Sequence, residues 1–172
     1  MKRLFVVLAC AMALAGCGPD KKAAAENLTA AKAFLATNAK DPAVHVLPDG
    51  LQFKVVRTGP ADGLRPQKQD EVKVHYEGKL LGPPGQPLAG KVFDSSYDRG
   101  VPASFPLNGL IPAWIEALAL MRPGDEWILY VPPELGYGEQ GAGGGDIPAN
   151  SVLIFRIELL GVLPGVGRIG AG

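Results

Sequence analysis

With 172 residues, and 17 Lys and Arg balanced by 17 Asp and Glu, the chain has room for one ordinary domain plus extras. It carries no bulk charge with which to hold a nucleic acid, and no basic run later in the sequence supplies one. Its 23 glycines and 16 prolines favour strands and turns over long helices.

The first predicted element is a processing signal. Lys2 and Arg3 form a positive start, and Leu4 to Leu14 is an apolar run too short to span a bilayer. It ends in Leu14-Ala15-Gly16-Cys17, which resembles the lipobox of bacterial lipoproteins. That resemblance implies diacylglyceryl transfer to the Cys17 sulfur and cleavage before it, so that residues 1–16 are the signal peptide. Several acyl chains would hold the product at a membrane, where one chain alone binds only marginally. Gly18, rather than Asp, follows Cys17, which resembles sorting to the outer membrane, with the domain facing the periplasm. Cys10 leaves with the signal, so the mature chain keeps no thiol for a disulfide or a nucleophile.

Residues 17–46 read as a lipidated tether with a short helix. Leu28, Ala31, Phe34 and Leu35 give it only a thin apolar stripe, so weak packing is expected. Asn27-Leu28-Thr29 matches a glycosylation sequon by chance. From residue 47 to 162 the pattern is that of a domain, and 163–172 form a Gly-rich tail expected to be flexible.

Within the domain, Leu51, Phe53 and Val55 alternate with polar neighbours. The clearest strand is Glu71–Glu77. Val72, Val74 and Tyr76 take one face, while Glu71, Lys73, His75 and Glu77 take the solvent face. Leu81–Gly90, with three prolines and three glycines, can only be loop. Lys91–Phe93 resumes a strand, and Ala103–Leu107 is extended and leads into a helix. That helix runs from about Ile111 to Leu120, with Pro112 suited to its first turn. Arg122-Pro123-Gly124 stops it, and Glu116 is its only charge, so it belongs in a core. Trp127–Val131 and Ser151–Leu160 are further strands. The sum is α+β, with a five-stranded antiparallel sheet and one short central helix.

Candidate chemistry is sparse. Gly136–Gly141 fits a dinucleotide-binding fingerprint by letter, but no helix opens after it. No Ser sits in a nucleophile elbow, and His45 and His75 do not cluster with other metal-ligand types, so no metal or cofactor is expected. What stands out is a set of aromatic residues beside turns: Tyr76, Phe93, Tyr97, Phe105, Trp114, Tyr137 and Phe155. They suit either an ordinary core or an apolar bowl for a small ligand or peptide.

Six motifs decide between these readings. Val74-His75-Tyr76-Glu77-Gly78, Val92–Gly100, Phe105-Pro106-Leu107, Ile111-Pro112-Ala113-Trp114, Leu135-Gly136-Tyr137-Gly138 and Ile147-Pro148-Ala149-Asn150 occur in register with the FK506-binding-protein type of peptidyl-prolyl isomerase. The likeness covers about Leu51 to Leu160 and is strongest to the macrophage infectivity potentiator group. It implies a half-barrel sheet wrapped round the helix and a proline pocket that needs no cofactor. In that pocket Asp94, Tyr137 and Tyr76 would be catalytic. Phe93, Arg99, Phe105, Leu110, Ile111, Trp114, Ile147 and Phe155 would bind substrate, with Trp114 as the floor. The implied partners are proline-containing unfolded or exported proteins, with FK506-like macrolides as ligands of the same pocket. A non-catalytic proline-binding chaperone or adhesin is the rival. The loop Leu81–Gly90 is longer than the family's usual one, Ala113 replaces a glycine, and no aromatic residue stands in Gly141–Gly145. The tether is shorter than the group's dimerising stalk, which predicts a monomer.

Overall fold

The alternation of Glu71–Glu77 becomes the strand on which half the sheet is hung. In the computed structural model, which describes residues 20–165, β3 (Glu71–Leu80) pairs antiparallel with three partners. These are β7 (Leu153–Leu163) on one side, and β4 (Val92–Ser95) and β5 (Ala103–Pro106) on the other. β6 (Glu126–Val131) continues the sheet beyond β7, followed by β2 (Gln52–Arg57) and β1 (His45–Val46). The curved antiparallel sheet and central helix expected from the sequence are present, but the strands number seven among the described residues. The two additions have physical reasons. β1 is two residues long, too short for a period to register, and β5 pairs over only four residues in the stretch read merely as extended.

α2 (Pro112–Leu120) fills the concave face. Ala113, Trp114, Ala117 and Leu118 bury themselves against Val72, Val74, Leu129, Phe155 and Ile157 of the sheet. Each large apolar side chain so covered contributes about 1.5–3 kcal/mol. Pro112 opens the helix, and the Met121 N–H closes it on the Ala117 and Leu118 carbonyls.

Glu116, the lone charge on α2, is only partly covered and faces Asp49 in the turn before β2. Burial first, then the hydrogen bond and charge of Asp49, push its carboxyl up to about 7. The folded chain therefore keeps this proton up to about pH 7, whereas the unfolded chain releases it near 4.5. The stabilising contribution is complete below pH 4.5 and is lost as pH rises through 7. Solvent screening reduces it to about 1 kcal/mol. Glu116→Gln should flatten the fall in stability between pH 5 and pH 8 in urea unfolding. An unchanged slope would exclude the pair as its source.

The other face of the sheet carries a second cluster, of Tyr130, Val152 and Ile154. Here α1 (Lys21–Asn38) docks, a full 18 residues where a short, loosely held helix was expected. Its apolar contact is indeed small: Ala31 is buried, and Phe34 meets Tyr130 with ring centres 5.9 Å apart. Side-chain amides do the rest. Gln52 Nε2 donates to the Leu35 carbonyl at 2.9 Å, and Asn38 Nδ2 donates to Gln52 Oε1 at 2.9 Å. The proline-rich loop after β3 packs its Leu81 into this same cluster, remote from Trp114. β7 runs on to Leu163, past the strand end expected from the sequence, and the Gly165 N–H donates to Asp70. The signal peptide 1–16, the lipidation position Cys17 and residues 166–172 lie outside the described residues.

Candidate functional site

Gly78 lies opposite Phe155 of β7 and Asp94 of β4, so three strands present side chains around a residue that has none. A Cβ at Gly78 would stand 2.7 Å from the rings of both Phe93 and Phe155. Glycine there lets those two rings meet edge to face, 5.6 Å apart at 89°. Trp114 rises from α2 beneath them. It makes edge contacts with Phe155 at 5.2 Å, Tyr76 at 5.1 Å and Phe105 at 6.1 Å. Its indole Nε1 is buried with no hydrogen-bond partner among the described residues. These rings form the floor and sides of a cavity of about 300 Å³. Leu110 and Ile111 close one side from the turn before α2, and Tyr137 stands on another.

One wall is polar. The Tyr76 hydroxyl donates to Asp94 Oδ2 at 2.5 Å, and Arg99 donates to Asp94 Oδ1 through Nη1. Arg99 Nη2 also donates to the Tyr76 hydroxyl oxygen at 2.9 Å, with its guanidinium 5.5 Å from the Tyr76 ring centre. Burial would raise the Asp94 carboxyl, but the hydrogen bonds from Tyr76 and Arg99 outweigh it and hold the carboxyl below the usual range. Burial, reinforced by Asp94, pushes the Tyr76 phenol up, so it stays a donor. Asp94 is thus a fixed carboxylate at the edge of an apolar bowl.

Of the residues that the motifs singled out, all line this cavity except Arg99 and Ile147. Arg99 holds Asp94 and Tyr76 from outside. Ile147 is buried in the core cluster and lines a separate cavity beside α1. Gly109 lines the cavity without having been singled out, and a residue with no side chain leaves no chemical signal. Ser96 was also missed. It is fully buried, its Oγ accepts the Tyr76 N–H at 2.8 Å and donates to the Tyr76 carbonyl at 3.2 Å, and it meets His75 Nδ1 at 2.9 Å. His75 therefore sits on the outer face as expected, but stacked on Tyr97 at 4.8 Å rather than free in solvent. Gly136–Gly141 forms tight turns around Tyr137, and only a three-residue 3₁₀ turn, Gly143–Gly145, follows it, with no α-helix opening there to receive a phosphate. Among the described residues, no group of three or more His, Cys, Asp or Glu could hold a metal ion.

This arrangement offers shape, an apolar environment, one oriented carboxylate and one tyrosine hydroxyl. It can grip a compact apolar ring and act on the polar bonds next to it.

Comparison with known proteins finds relatives over most of the chain. The chain is 50% identical over 130 residues to the FKBP-type 22 kDa peptidyl-prolyl cis-trans isomerase of Escherichia coli K12, a match covering 76% of this chain and 58% of that protein. It is 43% identical over 141 residues to the outer membrane protein MIP of Legionella longbeachae, covering 82% and 56%. The crystal structure of FkpA from Escherichia coli superposes with a TM-score of 0.74 at 42% identity, over 83% of this chain and 62% of that one. The chain thus spans somewhat over half the length of the relatives it matches. Residues 11–55 match the model of the domain amino-terminal to FKBP-type peptidyl-prolyl isomerases. Residues 63–160, which carry β3 to β6, most of β7, α2 and the whole aromatic cavity, match the model of the FKBP-type peptidyl-prolyl cis-trans isomerase itself, and with it the chain belongs to that family.

Proposed function

We propose that the protein is a peptidyl-prolyl cis-trans isomerase acting on proline-containing unfolded or exported proteins. The observation that carries this reading is the Trp114-floored cavity with the Tyr76–Asp94–Arg99 group on one wall and Tyr137 on another. Rotation about a prolyl bond faces about 18–20 kcal/mol because amide resonance must be broken. Uncatalysed, it takes about 10–100 s. The planar amide is the charge-separated, better-solvated form, so a pocket that strips water from it disfavours the ground state. A cavity that binds the twisted amide more tightly than either planar isomer lowers the barrier, tenfold for each ~1.4 kcal/mol of difference. The proline ring sits on the Trp114 indole. Tyr137 donates to a substrate carbonyl, and Asp94 faces the twisting amide. No bond to the enzyme forms.

Prolyl exchange in a short peptide tests this directly. The wild type should accelerate exchange well above the uncatalysed rate. Tyr137→Phe should lower kcat/KM about fivefold, the worth of one hydrogen bond of about 1 kcal/mol. No acceleration from a folded wild type would transfer the reading to a proline-binding module. The loop 81–90, the feature that could have favoured that alternative, lies against α1 and away from the cavity.

We further infer that the protein is a monomer anchored at the outer membrane by lipid on Cys17 and facing the periplasm, with residues 17–46 as tether and 47–162 as the isomerase domain. The signal-like run before Cys17 and the name of the Legionella relative support the anchoring. Cys17→Ser should move the protein from the membrane fraction to the soluble one, and retention at the membrane would remove the lipid from the account.

A further inference from the structure

Tyr137 stands at the start of a flap, residues 137–150, that leaves the body after β6 and returns at β7. Tyr137 is 40% exposed, where Trp114 is 4% exposed. The flap itself is glycine-rich, with Gly138, Gly141, Gly143, Gly144 and Gly145 all at positive φ. A loop of this composition holds few conformational restraints of its own. Its placement therefore depends on where it is tied.

The flap's tip is held by Ile147, buried in the core, and by the Lys91–Asp146 ion pair at 3.0 Å, and its base is tied at Asn150. The Asn150 N–H donates to the Gly138 carbonyl at 2.8 Å, closing the base of the flap beside Tyr137. Asn150 is buried and is the one non-glycine at positive φ among the described residues, with φ 57°. Its side chain leaves the flap and donates from Nδ2 to the Ala24 carbonyl of α1 at 3.1 Å. One turn on, Asn27 returns the bond, its Nδ2 donating to the Ala149 carbonyl at 2.9 Å. The Asn27 amide that matched a sequon is thus already used. Two reciprocal amide bonds join the helix nearest the lipidation position to the base of the Tyr137 flap. A helix with one buried residue has little apolar reason to lie there.

We propose that Asn27 and Asn150 are positioning residues, which clamp the Tyr137 flap to α1 so that the helix sets where the tyrosine meets substrate. The proposal rests on the isomerase reading above. It gives α1 a part in catalysis beyond that of a spacer. A pull or a partner acting on this helix would be felt at Tyr137.

The test is a mutant cycle in the full chain. Asn27→Leu removes the donor at similar volume. Asn150→Gly keeps the positive φ and removes the other donor. Each should lower kcat/KM for a prolyl peptide about fivefold, mainly in kcat, with a folded domain by near-UV circular dichroism. In a Tyr137→Ala background the same changes should cost less than about twofold, because their effect runs through the tyrosine. An equal loss in both backgrounds overturns the proposal, as does full activity in both single variants. Amide exchange separates this from failure of the isomerase reading. Even if the wild type proves inactive, Asn27→Leu should speed exchange of the Asn150 and flap amides. Unchanged protection there overturns the clamp itself.

Discussion

Trp114→Ala is expected to lower stability by about 3–5 kcal/mol and kcat/KM by at least about a hundredfold. The side chain is 4% exposed and meets the edges of three other rings, so its removal leaves a void that rigid neighbours cannot fill. A loss of that size is a large part of the 5–15 kcal/mol that holds a typical domain together. It should lower the melting midpoint by about 10–20 °C in calorimetry. On the proposed reading activity falls for a separate reason: the flat surface that would receive the proline ring is gone, and with it the edge contacts of the indole with Tyr76, Phe105 and Phe155. Exchange kinetics at 10 °C, where the variant remains folded, separate the two effects. Trp114→Phe is the control. It keeps an aromatic floor and deletes an indole N–H that has no partner, so the volume lost is partly offset by removal of a buried unsatisfied donor. It should stay within about 1.5 kcal/mol of wild type. A folded Trp114→Ala protein with wild-type kcat/KM would show that the cavity is not where catalysis occurs.

The same residue shows what a sequence can and cannot disclose. The α2 helix was legible because Pro112, the run of Ala and Leu, and the Arg122-Pro123-Gly124 stop all act locally. β3 and β7 were legible because alternation is local too. The cavity is different. Tyr76, Phe93, Phe105, Trp114, Tyr137 and Phe155 lie on six separate segments. Only the pairings that set Gly78 beside Phe155 and Asp94, and Val72 beside Phe105, draw four of these strands' residues together. No local period encodes that convergence, and it was the order of whole motifs that exposed it. Arg99 shows the limit of reading by motif: it belongs to the site's electrostatics without lining its wall. α1 shows the limit of reading by hydrophobicity. Its apolar stripe is as thin as it looked, and amide hydrogen bonds, which no hydropathy pattern counts, fix it to Gln52 of β2 and to the base of the 137–150 segment.

Asp94→Asn asks how much of the rate is electrostatic. The substitution keeps the volume and shape of the wall but removes the carboxylate that Tyr76 and Arg99 were built to hold. Charge-assisted hydrogen bonds become neutral ones, and the carboxamide can no longer respond to the amide dipole as it rotates out of plane. The expected result is a fall in kcat/KM of about ten- to thirtyfold, carried by kcat, since the proline floor is untouched. Stability should change little. The Arg99–Asp94 pair is about half exposed, at 47% and 43%, and such pairs contribute about 0–1 kcal/mol. The pH profile supplies an independent check. Because the Asp94 carboxyl is held below its ordinary value, its charge is present throughout the neutral range, and it is lost only as pH falls below the ordinary carboxylate range. Wild-type kcat/KM should therefore show no titration of Asp94 between pH 5 and 8 and should decline in acid. The Asp94→Asn profile should lie lower and lack that acid limb. A variant that matches the wild-type rate at every pH would leave Asp94 as a brace for Tyr76 and assign the whole acceleration to the apolar walls. A lower rate with the acid limb intact would mean that another group carries the titration. The lower rate without it ties the charge on Asp94 to the barrier itself.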